Sequence, residues 1–206
     1  FFWTHSYYSY SFIAKNFIKK IKNTNLVFHY KGDINNINNL KKIFRKKKIT
    51  HFVHFAGLSR EKCSVNKSEC IKTNFLSIKL ILNYLNTLKS KPTFIFISSS
   101  HVYKNNMKKL TEQSQTNPKT LYAKLKIKSE NYIKKYYKDY SIIRLFNVYG
   151  KNQPNGYFIS DMKLKIKNNE KISIDKSIRD FIHVSEVSKI INFIIKKKYF
   201  RYNKCW

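Results

Sequence analysis

The chain has 206 residues and carries 42 Lys and Arg against 11 Asp and Glu, which gives a formal net charge of +31 at pH 7. Because 42% of its residues are hydrophobic and 16% are aromatic, it has enough apolar material to fold, which excludes a disordered chain. This length allows one core, or one domain with part of another.

The positive charge is spread along the chain and consists mostly of lysine. Arg is the residue favoured for bidentate recognition of phosphate and guanine, but it is scarce here. Lys, Asn, Ile, Tyr and Phe are abundant together while Gly (4) and Pro (3) are few, a pattern typical of drift toward AT-rich codons. We therefore expect no specific nucleic-acid partner; a selected polyanion-binding surface is the alternative that the charge supports. The five arginines are Arg45, Arg60, Arg144, Arg179 and Arg201.

The three cysteines, Cys63, Cys70 and Cys205, form no CxxC pair and no cluster with His. The sequence therefore indicates neither a metal site nor a disulfide framework, and favours a reducing compartment. No stretch reaches the roughly 18 apolar residues that a membrane span requires, and the first residues lack the basic and apolar regions of a signal peptide. We expect a cytoplasmic protein with no membrane partner and no metal.

Short β-branched or aromatic runs alternate with Lys-rich amphipathic stretches, which is the pattern of βα units around a parallel sheet. The spacing of apolar residues along the chain predicts both the strands and the helices. The predicted strands are residues 26–29, 51–55, 93–98 and 141–145, and the predicted helices between them are residues 37–47, 67–88 and 121–138.

The pattern changes after Gly150. A turn is followed by a helix near residues 159–166, a short strand at 171–174 and a last helix at 185–197. We therefore predict an α/β fold, a doubly wound parallel sheet with the start of a smaller lobe. In this division residues 1–150 form the first domain. Residues 151–206 hold part of the second lobe and a segment, about 179–197, that returns to the first domain.

Two motifs carry chemistry. Ser98–Ser100 end a predicted strand and place hydroxyls at the carboxyl edge of a parallel sheet, where ligands of such folds bind. Tyr122 and Lys126 are four residues apart and share one face of a helix. A nearby ammonium stabilises phenolate and lowers a Tyr pKa, so that the phenol can act as general acid and base. Taken alone, each motif is equally typical of a capped strand end or a solvated helix face.

Eight segments in sequence order add to these motifs, and the match to which they belong spans roughly residues 12–197. They are GDI (32–34), HFAGLS (54–59), Asn74, FIFISSSHVY (94–103), LTE (110–112), YAKLK (122–126), RLFNVYG (144–150) and RDFIHVSEV (179–187). This order resembles the extended short-chain dehydrogenase/reductases, the NAD-dependent nucleotide-sugar epimerase/dehydratase family. HFAGL and RDFIHV look most like UDP-glucose 4-epimerases. The resemblance implies a Rossmann-like, NAD(P)-binding domain at residues 1–150 and a partial substrate-binding lobe after it.

The resemblance also implies a role for each matching residue. Ser99 would hydrogen-bond the sugar oxygen, Tyr122 would exchange its proton, and Lys126 would hold the nicotinamide ribose and lower the pKa of Tyr122. Taken singly, many of the other matching residues are also ordinary core or turn residues. Cofactor contacts are implied for Ser11, Ala14, Asp33, Ile34, Phe55, Ala56, Gly57, Asn74 and Phe146, and substrate contacts for Ser100, Asn147 and Arg179.

The implied activity is that of a nucleotide-sugar 4-epimerase, with NAD or NADP as cofactor. A reductase of nucleotide-4-keto-6-deoxysugars is the alternative within the same family. The family's 4,6-dehydratases usually carry an Asp-Glu pair directly after the catalytic hydroxyl. Here those positions are Ser100 and His101, which argues against dehydration. The resemblance also allows a homodimer, formed by a four-helix contact through residues 67–88 and 121–138.

The front of the chain departs from the family pattern. Phe12-Ile13-Ala14 matches the end of the strand–GxxGxxG–helix motif, but the three Gly positions hold Tyr8, Ser11 and Ala14. Glycine there permits close approach of backbone and pyrophosphate. We expect a frameshifted or truncated start, and a catalytically impaired fragment is a further alternative.

Two more departures concern the ribose and the second lobe. An NAD enzyme usually offers a carboxylate to the 2′-hydroxyl at the end of the second strand. This chain has His29, Tyr30 and Lys31 there, which favours NADP. The family also continues well past RDFIHV, so we expect the substrate lobe to be truncated.

Overall fold

The computed structural model describes residues 2–4, 11–21, 28–30, 32–104, 109–173 and 178–196. Five described strands form one parallel sheet in the order β2-β1-β3-β4-β5. The order changes direction at β1, which lies between β2 and β3, and such switch points are where ligands of open α/β sheets bind. The strands are β1 (Phe2–Thr4), β2 (Phe28–Tyr30), β3 (His51–His54), β4 (Thr93–Ser99) and β5 (Tyr140–Leu145).

Helices cover both faces of this sheet, which confirms the predicted doubly wound, Rossmann-like fold. One face packs against α1 (Phe12–Ile21) and α8 (Val184–Lys196). The other packs against α2 (Asn38–Lys46), α5 (Ser77–Asn86) and α6 (Leu121–Tyr136). The remaining elements are α3 (Arg60–Val65), α4 (Lys67–Ile71), α7 (Phe158–Lys167) and a small parallel pair, β6 (Asn147–Tyr149) with β7 (Phe181–His183).

The sheet holds its core on both sides because successive side chains of a strand point to opposite faces. In β4, Phe94 and Phe96 pack in the cluster with α2, α5 and α6, whereas Ile95 and Ile97 pack in the cluster with α1 and α8. All four side chains are buried. A parallel strand covered on both faces therefore appears in the sequence as a continuous apolar run.

Two predicted elements differ from the structure. Residues 171–173 are not a strand, and the small sheet of the described residues pairs β6 with β7 instead; residue 174 lies outside the described residues. The predicted helix 67–88 is interrupted by a π-helical stretch, Lys72–Leu76. Short π-helical stretches of this kind are frequent at functional sites.

The cysteine interpretation was wrong. Cys63 in α3 and Cys70 in α4 form a disulfide, with Cα atoms 5.0 Å apart. The two helices are short and meet at Asn66, which brings the cysteines together although neither CxxC spacing nor a pairing motif announces them. Asn74 Nδ2 lies 3.6 Å from Cys63 Sγ, so the disulfide lies next to the π-helical stretch that contains Asn74.

Within the described ranges, no helix has the length and apolar character to cross a membrane. The cytoplasmic location stays a prediction, as does the division into domains at residue 150. The segment 179–197 includes β7 and α8, and α8 packs against α1 beside the main sheet.

Candidate active site

Ser99 is the last residue of β4 and lies at the carboxyl edge of the sheet. The chain then turns through a short 3-10 helix, Ser100–Val102. Ser99 is buried, and its Oγ accepts a hydrogen bond from the backbone N–H of His101 at 3.3 Å. The same side chain is hydrogen-bonded to Tyr122. Strand β4 and its following turn therefore fix a hydroxyl beside the Tyr122 phenol.

Tyr122 and Lys126 lie in the first turns of α6. Thr120 begins this helix, because its Oγ1 accepts from the N–H of Ala123 at 3.2 Å, as a helix N-cap does. One turn separates the two site residues, and Lys126 Nζ lies 5.7 Å from the centroid of the Tyr122 ring. The structure thus brings together three residues, Ser99, Tyr122 and Lys126, named here the Ser99–Tyr122–Lys126 cluster.

Lys126 is buried beneath the cluster. Its Nζ donates to the carbonyl oxygen of Ile97 at 2.7 Å and lies 4.8 Å from the centroid of the Phe96 ring. Burial lowers the pKa of Lys126 to about 8, and the Glu130 carboxylate raises it. A buried amine with a pKa near neutrality is typical of functional sites.

Tyr122 differs from the sequence expectation. Burial raises its pKa to about 12, while the hydrogen bond to Ser99 lowers it and the charges of Tyr157 and Glu61 raise it. The expected lowering by Lys126 is not found in this state, because loss of hydration outweighs the stabilisation of phenolate. The phenol is therefore protonated at neutral pH.

A third element reaches the site through Gly57, three residues after β3 ends. A Cβ at this position would lie 3.4 Å from Asn74 Oδ1 and 3.6 Å from Lys126 Nζ. Asn74 fixes the segment by two hydrogen bonds to Leu58, accepting from its N–H at 2.7 Å and donating to its carbonyl at 3.0 Å. Asn74 belongs to the π-helical stretch, and its own carbonyl accepts from Ser129 Oγ at 2.9 Å.

Several predicted cofactor residues are core residues of the sheet. Ile34 and Ala56 are buried in the cluster with α2, α5 and α6. Phe55 is buried on the opposite face, with its ring centroid 5.7 Å from that of Phe17 in α1. Packing accounts for these three side chains, so any cofactor contact falls to their backbone or to Gly57.

The front of the molecule is described only in part, and Tyr8 lies outside the described residues. Ser11 precedes α1, and its Oγ accepts from the N–H of Ala14 at 3.3 Å. Ala14 is buried against the sheet, where its small side chain lets α1 pack closely. Ser11 thus caps the helix that follows β1.

The sequence predicts His29, Tyr30 and Lys31 at the cofactor ribose, and the structure of the turn after β2 shows otherwise for Tyr30. The Tyr30 side chain is buried, and its hydroxyl donates to the carbonyls of Asp33 at 3.2 Å and Asn36 at 3.1 Å. Tyr30 therefore points into the turn instead of toward a ligand. Asp33 is exposed, and its Oδ1 accepts from the N–H of Asn35 at 2.9 Å.

The predicted substrate residues, together with Phe146 from the predicted cofactor set, fall into two places. Ser100 follows Ser99 and is half-buried. Phe146 and Asn147 follow β5; Phe146 lines a cavity of about 150 Å³, and Asn147 Nδ2 donates to the Asp180 carbonyl at 2.9 Å. Arg179 lies with its guanidinium 4.9 Å from the Phe158 ring centroid. These three lie by the small sheet, near the beginning of the second lobe.

Sequence analysis missed a buried ion pair behind the cluster. Glu130 lies one turn after Lys126 in α6, and Arg144 lies in β5. Arg144 donates to both carboxylate oxygens of Glu130, and Ser98 Oγ donates to one of them at 2.5 Å. The spacing of Tyr122, Lys126 and Glu130 at four-residue intervals was visible in the sequence and could have revealed the carboxylate.

Comparison with known proteins gives consistent results. The model of the NAD dependent epimerase/dehydratase family matches residues 9–203. A dTDP-D-glucose 4,6-dehydratase of Dictyostelium discoideum is 26% identical over 197 residues, covering 86% of this chain and 45% of that protein. A UDP-glucose 4-epimerase of Yersinia enterocolitica is 32% identical over 191 residues, covering 78% of this chain and 56% of that protein.

Solved structures agree on the fold. The UDP-glucose 4-epimerase of Thermotoga maritima, solved with UDP-glucose, superposes with a TM-score of 0.80 at 20% identity. The match covers 97% of this chain and 74% of that one. The chain spans about half the length of the curated relatives it matches, or less.

Proposed function

Because the chain belongs to the NAD-dependent epimerase/dehydratase family, we propose that it is a nucleotide-sugar 4-epimerase using NAD or NADP. The observation that carries the proposal is the Ser99–Tyr122–Lys126 cluster at the carboxyl edge of the sheet, with Gly57 beside it. Similarity to 4-epimerases supports this choice within the family.

The small residues near the switch point between β1 and β3 support binding of a dinucleotide. Ser11 and Ala14, at two of the three Gly positions of the family motif, have small side chains, and Gly57 has none, which favours close approach of a pyrophosphate. In this proposal Asp33 and Ile34 border the adenine, Asn74 holds the segment after β3, and Lys126 Nζ faces the nicotinamide ribose. The backbone of Phe55 and Ala56 and the side chain of Phe146 complete the walls.

The chain's own residues then handle the proton. When bound, the nicotinamide accepts and returns the hydride of the sugar carbon. Tyr122 Oη receives the proton of the sugar hydroxyl during oxidation and gives it back during reduction, and Ser99 Oγ orients that hydroxyl. Since burial keeps the Tyr122 phenol protonated at neutral pH, the positive charge of Lys126 is needed to make the phenolate accessible.

Substrate contacts are proposed for Ser100, Asn147 and Arg179. Ser100 directly follows Ser99, and the other two lie at the start of the second lobe, where Arg179 supplies a cation for a diphosphate. A cytoplasmic location is part of the same proposal, as is the division into a cofactor-binding domain at residues 1–150 and a partial substrate lobe.

The first test is titration with NAD⁺, NADH, NADP⁺ and NADPH by calorimetry. We expect saturable binding of one pair, with the other pair much weaker. Tyr122→Phe should bind the cofactor as the parent does, because only the phenolic oxygen is removed. A folded chain that binds none of the four would contradict the proposal and favour a catalytically impaired fragment.

The second test is turnover of UDP-glucose and UDP-galactose. Tyr122→Phe should abolish interconversion, while Tyr132→Phe, a matched change on the same helix outside the cluster, should keep the parent rate. Equal rates for parent and Tyr122→Phe would refute the assigned proton transfer. Turnover that consumes one reduced cofactor per 4-keto-sugar, without any epimer, would favour the reductase instead.

A homodimer is the proposed assembly. Apolar side chains remain exposed on the helices expected to meet, among them Leu76 directly before α5, Leu80 within α5 and Tyr136 at the end of α6. Tyr137, by contrast, is buried in the core. Light scattering after gel filtration should give twice the monomer mass, and Leu80→Glu should halve it. A monomeric parent at millimolar concentration would exclude this contact.

A further inference from the structure

A fully buried ion pair lies behind the Ser99–Tyr122–Lys126 cluster. Arg144 donates to Glu130 through Nε at 2.9 Å to Oε1 and through an Nη at 2.6 Å to Oε2, a bidentate geometry. The Glu130 side chain is 0% exposed and the Arg144 side chain 4%. The Arg144 guanidinium also lies 4.7 Å from the Tyr103 ring centroid and donates to the Glu112 carbonyl at 3.3 Å.

Packing alone does not explain this pair. Burying two charges costs hydration, and apolar residues of similar size often stabilise a core as well or better. Acidic residues are also scarce here, with 11 in the whole chain. We therefore expect this carboxylate to have a role in the neighbouring Ser99–Tyr122–Lys126 cluster. The charged group of that cluster is Lys126, which lies one turn earlier on α6.

The groups facing Lys126 come from each surrounding element. Helix α6 contributes Tyr122 and Glu130, β4 contributes the Ile97 carbonyl, and β3 contributes His54. Burial lowers the pKa of His54 to about 3, so its ring is neutral. Asn74, beside Gly57, is also neutral. Glu130 therefore supplies the negative charge that Lys126 faces, in a site where salt and water screen little.

We propose that Glu130, held in place by Arg144 and Ser98, is a positioning residue that keeps Lys126 charged at neutral pH. This proposal rests on the proposed function, because there the charge of Lys126 makes the Tyr122 phenolate accessible. Ser98 and Ser99 are adjacent in β4, so the hydrogen bond from Ser98 to Glu130 also sets the strand end that carries the Ser99 hydroxyl. The pair thus joins α6, β4 and β5 directly behind the cluster.

The test is an NMR titration of Lys126 with isotopically labelled lysine, without cofactor or substrate, the signal being assigned by its loss in Lys126→Met. Glu130→Gln should lower the titration midpoint by about one pH unit, a tenfold change in the protonation equilibrium. Arg144→Met leaves the carboxylate unneutralised and should raise the midpoint. Opposite shifts distinguish an electrostatic role from a merely structural one, which would not move the midpoint in both directions.

Three further variants complete the test. Glu130→Asp should restore much of the parent midpoint, and Glu170→Gln, an exposed change at the end of α7, should leave it unchanged. If Glu130→Gln does not fold because Arg144 loses its partner, the double variant Glu130→Gln/Arg144→Met removes both charges and should still lower the midpoint. An unchanged midpoint in folded Glu130→Gln, or in the folded double variant, would overturn the proposal.

The outcome is separable from that of the proposed function. If the midpoint shifts as expected but the chain binds neither NAD nor NADP, the inference about Glu130 holds and the proposed function fails. If both hold, the charged fraction of Lys126 and with it the affinity for NADH should fall about fiftyfold between pH 7 and pH 9 in Glu130→Gln, against about tenfold in the parent.

Discussion

The two ends of the parallel sheet are built from different materials. At the amino end, Phe52 and Phe94 stack with ring centroids 5.5 Å apart, and Tyr137 packs on Phe94 while its hydroxyl donates to the Pro92 carbonyl at 2.6 Å. At the carboxyl end, the interior holds Ser98, Lys126 and their polar or charged partners. One end is apolar and aromatic, and the other carries ionisable groups that burial removes from water.

The amino end of the sheet therefore stabilises the fold, whereas the buried ionisable groups of the carboxyl end oppose folding. Burial of aromatic surface at the amino end favours folding. At the carboxyl end, burial displaces the pKa values of Lys126, Tyr122 and His54 from their ordinary values, and each displacement lowers stability at any pH where the unfolded chain carries the charge that burial disfavours. A site whose groups are held in unfavourable states is typical of function.

The largest expected effect is at the amino end. Phe94→Ala removes a fully buried ring between two aromatic neighbours and should lower the free energy of unfolding by about 4 kcal/mol, through lost burial and the cavity left behind. Urea unfolding followed by circular dichroism measures the loss. Phe94→Leu serves as the milder variant if the alanine variant does not fold. A loss below about 1 kcal/mol for Phe94→Ala would contradict the assignment of stability to this end.

The second prediction concerns the disulfide near the site. Reduction of Cys63–Cys70 frees a loop with a sequence separation of 7, and loop-closure entropy predicts a loss of about 2.5 kcal/mol. Urea unfolding with and without a phosphine reductant measures it. The control is Cys63→Ala/Cys70→Ala, whose unfolding should not respond to the reductant. Identical curves for oxidised and reduced parent would show that this crosslink adds no stability.

The apolar end was the part of the fold that the sequence predicted well. Strands such as β4 and helices such as α6 show their periodicity directly, because both packing faces repeat along the chain. The pair β6 with β7 was missed, since two three-residue strands far apart in sequence leave no periodic signal. The π-helical stretch was missed for a related reason: its cause, the bonds of Asn74 to Leu58 and Ser129, is tertiary.

The site was predicted in its parts more than in its energetics. Ser99, Tyr122 and Lys126 were named from motif and resemblance, and the fold brings them together. The direction of the Tyr122 pKa shift was wrong, because spacing reveals a neighbouring ammonium but not the burial that outweighs it. The Arg144 partner of Glu130 lies on another element, so nothing local in the sequence pairs them.

The third prediction uses the buried histidine at the carboxyl end. His54 has its ring among Phe52, Phe94 and Phe96, and within the part of the chain that the structure describes neither of its nitrogens has a hydrogen-bond partner. Burial lowers its pKa to about 3, so the unfolded chain binds a proton between pH 6.5 and 3 that the folded chain does not. The free energy of unfolding should therefore decrease as the pH is lowered, by about 2 kcal/mol between pH 7.5 and pH 5.

His54→Phe should remove most of this loss, because phenylalanine fills the aromatic site without titrating. The pKa values of His51 and His101 are also lowered by burial, so a smaller slope in the same direction should remain. Urea unfolding of both proteins at the two pH values measures the difference. Parallel pH dependence in parent and variant would place the proton uptake elsewhere in the molecule.

The smallest expected effect is a gain in stability on removing the Lys126 charge, and it measures how much this buried charge opposes folding. Burial lowers the pKa of Lys126 from 10.5 to about 8, so the unfolded chain holds this proton more tightly and the charge opposes folding at pH 7. Parent stability should rise by about 2 kcal/mol between pH 7 and pH 9.5, a range in which tyrosines are still mostly protonated. Lys126→Met should lose this rise and be more stable than the parent at pH 7 by about 1 kcal/mol, after subtracting the lost bond to Ile97. A variant less stable than the parent at pH 7 would mean that the carboxyl end contributes to stability as the amino end does.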